Sequence, residues 1–124
     1  MKQKRQQQNR PTSARGLDVH RVILELIRVC RPLIERIRRF NRRTGDRFVE
    51  SLFSTLQNTD EGMRRTGKDR PHLFSVALGS CDEVRSILDG VAAVGVITAA
   101  EHQEADELAD RVCAMLYRLH QKSA

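Results

Sequence analysis

The chain has 124 residues, of which 40% are apolar and 31% charged, and its formal net charge is +6. That length suits one domain with its own core, needing neither disulfide nor metal to fold. No apolar run approaches the ~20 residues of a membrane-spanning helix, and residues 1–16 lack the apolar core of a secretory leader, so a cytoplasmic protein is expected.

Residues 1–16 carry Lys2, Lys4, Arg5, Arg10 and Arg15 and no acid. Met1 is their one large apolar residue, too little to offset the entropy of ordering, so the segment reads as a flexible basic tail with a boundary at Gly16. Residues 17–121 read as a folded unit. From Asp18 to Arg43, apolar residues from Val19 through Leu26, Cys30 and Ile37 to Phe40 recur at steps of three and four, which predicts an amphipathic helix. Asp18 is its expected N-cap and Gly45 its expected C-cap. Pro32 removes one interior hydrogen bond and predicts a kink with the periodicity carried through.

A second helix is expected from Asp46, with Phe48, Val49, Leu52, Phe53 and Leu56 facing inward. Residues 64–69 read as a loop punctuated by Gly67. Asp69 as N-cap and Pro71 in the first turn open a third helix, closed by Gly95. Thr98 followed by Glu101 is a capping-box pattern that starts a fourth. Strand signals are absent. Four amphipathic helices joined by short loops predict an all-α, antiparallel up-down-up-down four-helix bundle.

Cys30, Cys81 and Cys113 form no CxxC and stand among apolar residues, as small buried thiols of a reducing compartment would. The four histidines are scattered, and neither a metal nor another cofactor is expected. Asp69 and His72 lie close together without a nucleophile, Ser75 and Ser80 lack a base, and no Gly-rich phosphate loop occurs. The expectation is a protein that binds and does not catalyse. Gly79 and Gly90 interrupt the third helix, which suggests close approach of a neighbouring helix. Leu24 and Val29 at the edge of the first apolar stripe suggest burial by another subunit.

The stretch Asn58-Thr59-Asp60-Glu61-Gly62, the segment Phe74 to Ser80 (FSVALGS) with Glu83, and Val94-Gly95-Val96-Ile97 before an acidic helix start carry a resemblance. Together they resemble the four-helix-bundle proteins encoded in intervening sequences of bacterial 23S ribosomal RNA genes, over residues 17–121. The resemblance implies a four-helix subunit in a ring-shaped homopentamer. It extends to the accessory variability determinant of diversity-generating retroelements, a basic bundle that partners a reverse transcriptase and its RNA. The chain departs from the family at Asp60, where members usually carry Ala, and in a more Arg-rich segment between the first two helices.

Charge is unevenly placed. Residues 19–47 hold nine arginines against Glu25, Glu35 and Asp46, whereas residues 82–110 hold eight acids against Arg85. The expected nucleic-acid contacts are Arg21, Arg28, Arg31, Arg38, Arg39 and Arg42 opposite the apolar stripe, Arg43 and Arg47 beyond the turn, and Lys2, Lys4 and Arg5 in the tail. A guanidinium donates two parallel hydrogen bonds to phosphate and does not deprotonate. The four phenylalanines read as core and there is no tryptophan, so backbone-directed binding, to RNA in the first instance, is expected over base reading. The same arginines also read as a solvated face, or as the partners of acids in an adjacent subunit. An interaction module serving a reverse transcriptase is the alternative function.

Overall fold

The computed structural model describes residues 14–123, and four helices follow in order: α1 Ala14–Phe40, α2 Arg42–Arg64, α3 Asp69–Ala93 and α4 Ala99–Ser123. α1 and α3 each pack against both α2 and α4. The cross-helix pairs run antiparallel, with His20 opposite Asp60 and Arg38 opposite Asp46 between α1 and α2. The molecule is therefore the expected all-α up-down bundle. Residues 1–13 of the expected basic tail, with Lys2, Lys4 and Arg5, lie outside the described residues, and α1 begins at Ala14, ahead of the expected boundary at Gly16.

The core follows the apolar period. Ile23, Leu26, Cys30 and Ile37 of α1 meet Phe48 and Leu52 of α2, Phe74, Cys81, Val84 and Leu88 of α3, and Ala109, Val112 and Leu116 of α4, all buried. Thr55 and Thr59 share this interior. Their hydroxyls donate to the carbonyls of Ser51 and Thr55 one turn back, at 2.7 and 2.6 Å, which removes the cost of burying them. Pro32 does not end α1. It sits on the exposed face, where water can reach the Arg28 carbonyl that its missing N–H leaves unbonded.

The turn between α1 and α2 is one residue long, not the expected Gly45 cap. Asn41 takes an extended backbone (φ −157°, ψ 116°), and its side chain accepts from the Thr44 N–H at 2.8 Å, making it the N-cap of α2. Gly45 lies within the first turn of α2, packed on Arg38. A Cβ there would stand 2.9 Å from the Arg38 Cα, so only glycine lets the two helices close so sharply. Arg42 and Arg43 consequently belong to the start of α2, and Asp46 is interior to it. Asp18 likewise lies inside α1.

Asp69 is not an N-cap. Lys68 holds that position without a side-chain cap, while the Asp69 carboxylate is drawn 3.3 Å from Arg65. At the other end of α3, Gly95 is left-handed (φ +82°). The Gly95 and Val96 amides donate to the carbonyls of Ala92 and Val91 at 3.0 and 2.9 Å, a Schellman closure. The capping box forms as expected: Thr98 N–H donates to Glu101 at 2.8 Å, and Glu101 N–H to the Thr98 hydroxyl at 3.1 Å.

Candidate nucleic-acid interface

The expected arginines divide into two sets. Arg21, Arg28, Arg31, Arg39 and Arg43 are exposed, and among the described residues no carboxylate lies within 4.0 Å of their guanidinium groups. By helical geometry Arg21, Arg28 and Arg39 fall within roughly 20° of one line along α1, about 10 and 16 Å apart. Arg31 flanks that line, and Arg43 continues the charge past the Asn41 turn.

The second set is engaged. Arg38 is turned toward α2 and is only partly exposed, contrary to its expected place opposite the apolar stripe. Its Nε donates to Asp46 at 3.0 Å, and Glu35 lies 4.0 Å away. Arg42 stands 4.0 Å from Asp46 with 84% of its side chain exposed, so it is held weakly. Arg47 is paired with Glu83 of α3. These are mostly surface pairs, each worth about 0–1 kcal/mol, so a polyanion can compete for them.

Two shallow depressions lie along this side. One of ≈ 270 Å³ is lined by Arg21, Val22, Leu24, Glu25 and Arg28. The other, ≈ 570 Å³, is lined by Arg42, Arg43, Asp46, Arg47 and Glu50 at the start of α2. Both are open to solvent, and both mix cations with carboxylates.

The acids of residues 82–110 find other partners. Arg85 binds Asp106 at 2.9 and 3.2 Å and Asp110 at 3.2 Å, and His102 meets Asp89 at 2.7 Å. Glu101 accepts two hydrogen bonds from Arg36, at 3.1 and 2.5 Å. These contacts, with the Thr98 amide, pull the Glu101 carboxyl down to about 2. The Arg85 guanidinium similarly holds Asp106 below the ordinary carboxylate range. Within the chain, then, the acidic segment neutralises Arg36, Arg47 and Arg85 and leaves the outer row of α1 untouched. Arg36 was absent from the expected contacts. Its position on the flank between the apolar stripe and the outer row is the signal that separates it from them.

His102, Asp106 and Asp89 bring donor atoms within 4.8 Å of one another, a cluster the sequence reading missed although His102 and Asp106 stand at i, i+4. Arg85 already grips Asp106 with two hydrogen bonds and supplies the positive charge there. The arrangement is an ion-pair network across the α3–α4 seam.

Three contacts fasten α2 to α3. Gly62 makes room for the Phe74 ring, Ser54 and Ser80 hydroxyls hydrogen-bond at 2.7 Å, and Glu83 takes Arg47. Asp60 holds His20 of α1 at 2.8 Å. Gly79 and Gly90, in contrast, face open space and mark no close helix approach.

The aromatics depart from expectation. Phe48 and Phe74 are buried, but Phe40 and Phe53 are 54% and 44% exposed. Phe40 ends α1 beyond the last core layer, and Leu52 takes the core slot that Phe53 misses by one residue. Tyr117 is also exposed. These rings are dispersed over α1, α2 and α4 and make no continuous stacking platform.

Among the described residues, no helix is long and apolar enough to cross a membrane. Comparison with known protein families, with curated proteins and with solved structures finds no match to the chain.

Proposed function

We propose that the protein is a non-catalytic, oligomeric four-helix bundle that binds nucleic acid, RNA in the first instance, through the phosphate backbone. The observation that carries this reading is the row of exposed arginines, Arg21, Arg28, Arg31 and Arg39 with Arg43, none of which has a carboxylate of the described residues within 4.0 Å of its guanidinium. The start of α2 supports it. Arg42 and Arg43 occupy a first turn with no acid, where the helix end is itself partially positive. Cations there disfavour the isolated helix, and a bound phosphate offsets that cost.

On this reading the chain is kin to the 23S ribosomal RNA intervening-sequence bundles, assembles as a homopentameric ring, and needs no cofactor. Repetition of the arginine row around a ring turns weak single contacts into avid binding. The tail residues Lys2, Lys4 and Arg5 add phosphate contacts. The dispersion of exposed rings favours backbone over base reading.

The test is RNA affinity as a function of salt for wild type and for Arg28→Glu, Arg39→Glu, Arg43→Glu combined. Wild-type affinity should fall steeply with salt. The triple variant should lose at least about tenfold at low salt and show a salt slope shallower by about 2–3, the share of three phosphate contacts. Full binding by a folded triple variant rejects the assigned face. The competing reading, an accessory subunit of a reverse transcriptase, draws on exposed Phe40, Phe53 and Tyr117 as protein-contact residues. It requires a complex that survives nuclease treatment.

A further inference from the structure

Away from the arginine row, two thiols meet across the α3–α4 seam. Cys81 is fully buried, with its Sγ 3.5 Å from the Ala109 carbonyl. Cys113 stands one turn beyond Ala109 on α4 and is only partly buried. Its Sγ lies 3.7 Å from Oδ1 of Asp82, the residue after Cys81. The contacts cross, so each sulfur sits against the other cysteine's surroundings. We propose that Cys81 and Cys113 are a redox modification site, closing to an intrachain disulfide when the protein meets a peroxide-class oxidant.

The two thiols have different parts. Cys113 is reachable from solvent and is the attacking sulfur. Its thiol is held below the ordinary range, chiefly because the Cys81 S–H can turn from the Ala109 carbonyl to stabilise a Cys113 thiolate. Arg85, one turn along α3, favours the same thiolate, and the neighbouring Asp82 opposes it. The Cys113 thiolate attacks one peroxide oxygen, and the O–O bond breaks. Cys113 becomes a sulfenic acid, and the departing hydroxide takes the released thiol proton as water. The Cys81 sulfur then attacks the Cys113 sulfur, the S–O bond breaks, and the hydroxyl leaves with the Cys81 proton as a second water. Two thiols and one peroxide thus give one disulfide and two waters. Burial keeps Cys81 from oxidants and reserves it for this second step. Cys30 serves as an internal control, since it is fully buried and stands on α1, outside the α3–α4 seam.

The experiment treats the full chain with stoichiometric hydrogen peroxide, alkylates free thiols under denaturing conditions, and maps peptides by mass spectrometry. Two of the three thiols should be lost together, in one cross-linked peptide pair joining Cys81 to Cys113 within a single chain, and dithiothreitol should restore both. Cys113→Ser should leave Cys81 and Cys30 reduced, and Cys81→Ala should stop at a sulfenic acid on Cys113. The wild-type map and the partly exposed Cys113→Ser variant decide the matter even if Cys81→Ala fails to fold. Survival of all three thiols, sulfinic acid on wild-type Cys113 beside a free Cys81, or a disulfide joining two chains overturns the proposal.

Discussion

Gly62 and Gly79 lie 17 positions apart in sequence, yet the space around them makes opposite demands. A Cβ on Gly62 would stand 2.8 Å from Cε1 of Phe74, inside the α2–α3 contact, so the ring must shift to admit it. Gly62→Ala should destabilise the fold by about 1–3 kcal/mol, the usual cost of overpacking. Gly79 is exposed, with nothing within 4 Å of an added Cβ. Gly79→Ala should stabilise by about 0.5–1 kcal/mol, because alanine loses less backbone entropy in a helix. Urea unfolding of both variants measures the pair. A Gly79→Ala variant less stable than wild type would mean that another subunit covers that surface.

At the level of the elements, the start of α4 joins local and long-range order in one side chain. Glu101 closes the capping box with Thr98 and also receives Arg36 from α1. Its carboxyl is lowered from 4.5 to about 2, first by Arg36 and then by the Thr98 amide. A depressed carboxylate adds stability that is fully present above its unfolded value and fades as pH falls through the folded one. The contribution should therefore disappear between about pH 4.5 and 2. Glu101→Gln keeps a capping amide oxygen but loses the charge. It should melt below wild type at pH 7, and the gap should close by about pH 2. An unchanged gap across that range would show that the Arg36 pair adds nothing.

For the whole molecule, the proposed function makes the separation of charge the term that would govern assembly and RNA binding. Free guanidinium groups line the outside of α1, while the acids of α3 and α4 are largely spent on Arg36, Arg47, Arg85 and His102. Sedimentation in the presence of RNA should give a five-chain species that carries RNA at low salt and releases it at about 1 M salt while remaining assembled. Salt at that level shortens the reach of surface charge to ~3 Å. Joint loss of RNA and of assembly would instead show arginine–carboxylate pairs holding the subunits together.

Helix positions, the Schellman closure at Gly95 and the Thr98–Glu101 box were legible because each depends on residues within a few positions of one another, where period, φ preference and hydrogen-bond reach are local properties. The Asn41 turn was not. Gly45 looks like a helix terminator until Arg38 is brought against it, and Asn41 then takes the cap. Nor did the wheel of α1 separate bound from free arginines. Arg36 and Arg47 are neutralised by acids 65 and 36 positions away, and Arg38 by one 8 positions away across the turn. Composition and period settled that the chain forms a basic four-helix bundle, since burying apolar stripes needs only their spacing. Which guanidiniums stand free, and that Cys81 meets Cys113, depended on packing, because charge pairing and thiol proximity are set by distances in space that the order of residues does not encode.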